Sequence, residues 1–353
     1  MKPSKFTCAL ALSLGSLLVG CGGGGGDSPV KIPDTVVKTC TNGGNDYPTC
    51  TPPYVAGDLQ TSVDKPPYAE GSEDLRAFNY LNDLRSSLGL GKLNYSAELT
   101  LSSTNHANYL NTNKLFSHDE NSSLPGFTGV GVTQRVRYAG YPSTFATELL
   151  ASSNTKTGAL ERLLGSVYHR SVLLSQAMRD VGTYSYKDKD SSAAVLVLNI
   201  GYKSNPQRNA SDFIMTYPKD GQTNVNLSMC AESPWPFPDI KVEDACTNPR
   251  AENGVIVMDM KVGYPVSIAI QDSKDLTITK FEMFEAGSNT PIPSWLTTKT
   301  DTTYPVSKHE AFITAKAGLK PLTKYEASFS GLADGIPFTK TWSFTTAASL
   351  YSN

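Results

Sequence analysis

Apolar positions recur at helical spacing twice in the first third of the chain. Leu75, Phe78, Leu81, Leu84 and Leu88 follow Ser72-Glu73-Asp74, a serine cap with acids in the first turn, and Gly89 ends the run. A second helix is expected over 96–113, with Leu99, Ser103, Ala107 and Leu110 on one face, small enough to let a neighbour approach closely. A turn-rich loop follows at 126–131. Further helices are expected near 145–152 and 157–165, and a short one from about His169 to Ala177. The period then shortens to two. Segments 181–186 and 194–202 read as strands, with Lys187-Asp188-Lys189-Asp190 as the solvated turn between them. Helices first and a closing hairpin last define an α+β layered domain ending near Ser204. Beyond Arg208 come alternating or β-branched runs at 213–217, 255–260, 266–270, 276–284, 325–329 and 339–344. Short strands with frequent turn residues predict an all-β sandwich over 205–353 that folds as a separate unit.

The pattern is absent before residue 70. Residues 22–70 are rich in Gly, Pro, Thr and Asp and read as a linker. Ahead of them, Lys2 and Lys5 precede an apolar run over 9–19 that is short for a membrane span. The following Leu18-Val19-Gly20-Cys21 resembles the lipobox of bacterial lipoproteins. That resemblance implies a signal peptide over 1–20, cleavage before Cys21, acylation of Cys21 and a flexible tether over 21–70. Gly22 in place of Asp fits export to the outer membrane of a Gram-negative envelope. The competing reading is an ordinary secretory signal with a chance cysteine.

Of the six cysteines, Cys8 leaves with the signal and Cys21 carries lipid. Cys40, Cys50, Cys230 and Cys246 remain, and three pairings are open to them. Export favours disulfides, and we expect the local ones, Cys40–Cys50 and Cys230–Cys246. A metal site is the rival, but no Cys-x-x-Cys and no neighbouring histidine supports it.

Charge adds an exclusion. With 18% charged residues and a net charge of −2, the chain carries no basic face for nucleic acid and no acidic block.

The stretch 115–170 concentrates the candidate chemistry. Asn82-Asp83-Leu84-Arg85, the segment 93–99, Ala107 and Phe116-Ser117-His118 resemble the opening of a CAP domain, the family of cysteine-rich secretory proteins, plant pathogenesis-related proteins and bacterial SCP-like proteins. The segment 137–141, Glu148, Ser166-Val167-Tyr168-His169-Arg170, Leu173-Leu174 and Val181-Gly182 match its bacterial branch in order and spacing. The resemblance spans about 71–204 and implies a three-layer α-β-α sandwich, followed here by a module resembling bacterial Ig-like surface domains. Two positions depart from the family pattern. Leu163-Leu164 stand where a tryptophan is usual, and Leu149 stands where asparagine usually follows the glutamate.

By the same resemblance, His118, His169 and Glu148 converge in an open cleft, with Glu161 as the weaker second acid. Two neutral imidazoles and a carboxylate are the right donors for zinc with a position left open, so His118 and His169 are candidate metal ligands. The bland alternative leaves His118 as a solvated loop residue. His106 falls on the packed face of the second helix and is expected in the core. His309 is expected to be exposed on the β-module. Nothing resembles Gly-x-Ser-x-Gly, His-Glu-x-x-His or a phosphate loop. The sequence therefore points to a cell-envelope lipoprotein, membrane-tethered, binding a small apolar, lipid or cell-wall ligand. Metal-assisted hydrolysis of peptide or peptidoglycan, and adhesion through the Ig-like module, stay open as alternatives.

Overall fold

The fold is a computed structural model that describes residues 58–350 except 144, 188–192, 253–254 and 302–303. Cys21, Cys40 and Cys50, and with them the lipid anchor and the first disulfide, lie outside the described residues.

Helix α1 (Glu73–Ser87) starts where its cap predicts, with Ser72 Oγ accepting from Leu75 N at 3.1 Å. Strand β1 (Asn94–Tyr95) leads to α2 (Ala97–Asn113), capped in the same way by Ser96. Helix α3 (Val132–Tyr138) precedes β2 (Ala146–Ser153), α4 (Lys156–Leu164) and α5 (Tyr168–Leu173). The hairpin β3 (Asp180–Tyr186) and β4 (Ala194–Gly201) closes the unit. The sheet runs β1-β3-β4-β2, with β1 and β3 parallel and the other pairs antiparallel.

Side-chain alternation assigns the layers. Leu149, Leu196 and Leu198 pack against Phe78, Leu81, Leu160 and Leu163 of α1 and α4. On the other face, Leu150 and Val197 pack against Ala107, Tyr109 and Leu110 of α2. This is a three-layer α-β-α arrangement. A glycine fixes the spacing of one layer, because a Cβ on Gly182 of β3 would lie 2.1 Å from Thr100 N of α2. Ser103 Oγ then reaches Gly182 O at 3.1 Å and accepts from Asn199 at 2.9 Å.

The helix expected at 145–152 is instead strand β2. Its central residues Thr-Glu-Leu-Leu-Ala favour helix locally, but pairing with β4 over the full strand buries Leu149 and Leu150 on opposite faces. A short apolar run cannot distinguish the two states, and tertiary pairing decides.

The C-terminal half contains β5 (Ile214–Tyr217), β6 (Gln222–Val225), β7 (Cys246–Glu252), β8 (Val255–Met260), β9 (Val266–Ile270) and β10 (Leu276–Glu285). They are followed by β11 (Ser294–Thr297), β12 (Glu310–Ala315), β13 (Lys324–Ala333) and β14 (Ile336–Thr346). Two four-stranded sheets, β10-β13-β14-β6 and β11-β12-β9-β5, form a sandwich, and β7 pairs with β8 as a separate hairpin. Phe281, Phe329 and Trp342 of one sheet share an apolar cluster with Ile268 and Ile313 of the other. Cys230 and Cys246 form the expected disulfide, with Cα atoms 5.2 Å apart. His309, expected to be exposed, is half-buried, and burial pushes its pKa down to about 4.

The same apolar cluster runs without a break from Phe78 and Leu163 into the β-sandwich. Arg170 of α5 crosses the junction. It is 1% exposed, donates from Nε to Leu164 O at 2.6 Å and from Nη1 to Ser267 Oγ at 3.2 Å, and lies 4.7 Å from the Tyr217 ring centre and 5.1 Å from that of Tyr264. Gln176 donates to Ile270 O at 2.8 Å, and Tyr168 donates to Tyr304 O at 2.8 Å. Arg170→Met keeps much of the volume but strands those acceptors and removes the cation–π contacts. It should cost about 3 kcal/mol or more, since each buried unpaired polar group costs about 1–3 kcal/mol. Guanidinium unfolding would show this as a lower midpoint for the whole chain. An unchanged midpoint would mean that the two halves do not stabilise one another through Arg170.

Candidate functional site

Left-handed Lys114 ends α2 and turns the chain into the loop that carries His118. His118 Nδ1 lies 3.1 Å from Glu148 Oε1, on β2. Glu148 sits on the α2 side of the sheet, the side that Leu150 faces. The same Oε1 accepts from Arg135 Nη2 at 2.8 Å and lies 3.4 Å from His106 Nε2. Glu120 completes the group. Its carboxylate accepts from Thr128 N at 2.6 Å and Gly129 N at 3.3 Å, and lies 2.9 Å from His106 Nδ1.

Burial separates the members. Glu120, Arg135, His106 and Glu148 have side chains at 1% exposure or less, whereas the His118 side chain is 48% exposed. His118 is therefore the solvent-facing end of an otherwise internal charge cluster. His106, expected in the core, is there, but it also belongs to this cluster. Its second nitrogen faces Ser117 O at 2.9 Å, so both ring nitrogens meet groups that only accept. The carboxylates of Glu120 and Glu148 are thus packed against His106 and the guanidinium of Arg135, and buried charge is normally tolerated only with such partners.

Burial alone would raise the Glu148 carboxyl, but Arg135, His106 and His118 hold it down at about 2. With Glu148 accepting from Nδ1–H, His118 Nε2 keeps its lone pair and can accept a hydrogen bond from a ligand. Ser117 is not placed as a nucleophile. Its Oγ donates to Asp119 O at 3.1 Å and accepts from Asp119 N at 3.0 Å, a local turn.

His169 has different company. Its Nδ1 is 3.1 Å from Glu232 Oε1 and 3.1 Å from Ser166 Oγ. Glu232, from the Cys230–Cys246 loop, also accepts from the backbone N–H groups of Val167 (2.8 Å), Tyr168 (2.6 Å) and His169 (3.1 Å). The structure thus brings His118 to Glu148 and His169 to Glu232. Glu161 is exposed on α4, near Tyr80 of α1, and touches neither histidine. Sequence reasoning missed Arg135, Glu120 and Glu232. Glu120, two residues beyond His118, was within reach of a local search. Arg135 stands on the short helix before the Arg137–Tyr141 segment, but Glu232 has no local signal.

In both histidines the carboxylate meets Nδ1, Glu148 at His118 and Glu232 at His169, which leaves Nε2 of each ring as the atom that would ligate a zinc ion. Among the described residues, no group of three or more His, Cys, Asp or Glu side chains is arranged to hold a metal. No step is derived through a metal.

Residues 78–200 match the family model for CAP, the cysteine-rich secretory protein family. That segment is therefore similar to a CAP domain, and it falls on the α-β-α layers described above. Among solved structures, an outer surface protein from Borrelia burgdorferi is similar at 21% identity and a TM-score of 0.32, covering 38% of this chain and 95% of that one. An extracellular SCP-domain protein from Bacillus anthracis str. Ames is similar at 20% identity and a TM-score of 0.32, covering 39% of this chain and 45% of that one. No curated protein matches the chain.

The depressed Glu148 carboxyl makes a prediction about acid stability. A carboxylate whose pKa falls from 4.5 to about 2 on folding contributes stability that is fully present above about pH 4.5 and is lost as pH falls towards 2. Glu148→Gln should remove that pH dependence. At neutral pH it should cost about 3–5 kcal/mol, because Arg135 loses its buried partner. Denaturant midpoints measured from pH 2 to 7 would show a flatter acid limb in the variant. An identical slope in both proteins would contradict the assigned charge cluster.

Proposed function

We propose that this is an envelope-tethered CAP-domain protein that binds a small, largely apolar ligand with a polar head at His118. The observation that carries the reading is the set of exposed apolar residues on the loop segments that adjoin that histidine. Leu115 (38% exposed), Phe116 (48%), Phe127 (36%) and Val130 (48%) are all solvent-facing. They lie on two loop segments held side by side, since Glu120 N donates to Val130 O at 2.9 Å and Arg135 Nη1 donates to Val130 O at 2.9 Å. Grouped exposed apolar side chains beside one oriented polar group are what an amphiphile's tail and head require. The buried charges behind His118 hold the ring in place and leave Nε2 for a hydroxyl or carboxylic acid. A lipid or another envelope component is the ligand class this suits.

The C-terminal sandwich is read as an Ig-like module that spaces or docks the CAP domain. The tether is Cys21, from Leu18-Val19-Gly20-Cys21, followed by the glycine run over 22–26. More than one acyl chain would give a stable anchor, each buried CH₂ contributing about 0.8 kcal/mol. Cys21→Ser should move the protein from the membrane fraction into the soluble extracytoplasmic fraction. Unaltered fractionation would refute the tether.

Ligand binding is tested with a fluorescent long-chain alcohol, whose hydroxyl can donate to Nε2. Phe116→Asp and Phe127→Asp should each weaken it about tenfold or more, from the loss of about 1.5–3 kcal/mol of aromatic burial. His118→Ala should weaken it less, by about one hydrogen bond. Equal affinity in all variants would place the ligand elsewhere.

A further inference from the structure

His118 and His169 each meet a carboxylate through Nδ1, but only one of those carboxylates belongs to the α-β-α unit. Glu148 stands on β2, inside its sheet. Glu232 follows β5 and β6 of the sandwich in the chain, two residues after Cys230, within the loop that the disulfide closes. Its side chain is wholly buried, whereas that of His169 keeps 18% exposure.

The proton on the His169 ring can be placed from its partners. Ser166 Oγ donates to Leu163 O at 2.8 Å, which uses its hydrogen, so that oxygen turns a lone pair to His169 Nδ1 at 3.1 Å. Glu232 Oε1, also 3.1 Å from Nδ1, already accepts from the backbone N–H groups of Tyr168 and His169 and meets the ring as an acceptor too. Both neighbours of Nδ1 accept, so Nδ1 carries the proton. The neutral ring then has its lone pair on Nε2, across the ring from both acceptors. A carboxyl oxygen is the stronger acceptor of the two.

Glu232 is also held firmly enough to aim the ring. Oε2 accepts from Val167 N at 2.8 Å while Oε1 takes the next two N–H groups, so the backbone that carries the imidazole grips both oxygens. Ring and carboxyl cannot shift independently.

We infer that Glu232 is the positioning residue for His169. It holds the Nδ1–H form of the ring and presents Nε2 as a ligand atom for a divalent ion such as zinc, the place the resemblance gave to Glu161. A metal-binding imidazole normally donates its other N–H to a carboxylate in this way. One half of the histidine pair is therefore set by a residue of the C-terminal module. The inference is independent of the apolar ligand proposed at His118.

The experiment is nuclear magnetic resonance of the full-length chain with isotope-labelled histidine rings, of which the sequence has four. His169→Ala assigns the signals of that ring. At about pH 8, above the ordinary imidazole range, His169 Nδ1 should be protonated and Nε2 bare. Zinc chloride should move the Nε2 signal. Glu232→Gln keeps an oxygen for the start of α5. It should raise the share of the Nε2–H form and weaken zinc binding at His169 by about 10–100-fold. Glu161→Gln should change neither readout. Ser166→Ala, which removes the weaker acceptor and leaves Glu232 in place, should keep the Nδ1–H form, and it decides the matter if Glu232→Gln does not fold. A Glu232→Gln chain that melts earlier but keeps the wild-type tautomer and zinc affinity would reduce Glu232 to a helix cap and overturn the proposal. So would a proton on Nε2 in the wild type, an Nε2 signal unmoved by zinc, weaker zinc binding in Glu161→Gln, or loss of the Nδ1–H form in Ser166→Ala.

Discussion

Helix α5 begins without a cap of its own. Its first backbone N–H groups have no local side chain to satisfy them, and a helix start buried in that state would be costly. The carboxylate of Glu232, more than sixty residues further on, supplies the missing acceptor for three of them and holds the ring of His169 as well. A negative charge at a helix N-terminus is also favoured by the aligned peptide dipoles. Arg170, one turn along the same helix, is then drawn into the aromatic and carbonyl cage formed by Tyr217, Tyr264 and Ser267. The α-β-α unit thus borrows the completion of one of its helices from the sandwich that follows it.

This dependence explains what was legible in the sequence. Caps and periodicity are local, so α1, α2, α4, β3, β4, β8 and β9 were all readable from Ser72, Ser96 and the apolar spacing around them. Where pairing decides, local reading failed. Strand β2 has a helix-favouring run that only β4 converts to strand. Strand β12 (Glu310–Ala315) is buried along its whole length and so shows no alternation to read. The His118–Glu148 pair was recognisable because each residue sits in a family motif. Their supports were not, because Arg135 and Glu120 are ordinary charged residues until the fold buries them together.

Burying that many charges is the second organising fact. Glu148 is held ionised inside the domain because Arg135 and His106 lie against it, and Glu120 is tied to the same His106 and to the Thr128 and Gly129 backbone. The cost of desolvation is offset only while the set is complete, so the members stand or fall together. What the cluster contributes at the surface is one oriented ring, His118, with an unencumbered nitrogen and apolar neighbours.

The Cys230–Cys246 loop faces both ways. Inward it delivers Glu232 to α5, and outward it lines an open groove beside Lys261 and Lys316. A free loop of this length would lose much of its entropy on adopting either role, and cross-linking its ends removes about 3 kcal/mol of that cost in the chain-entropy model. The bond persists only in an oxidising compartment, which agrees with the export signal expected at the N-terminus. Holding this one loop rigid therefore serves two separate surfaces. Loosening it would disturb the start of α5 and the groove together, while the His118 centre, built on α2, α3 and β2, would keep its own hydrogen bonds.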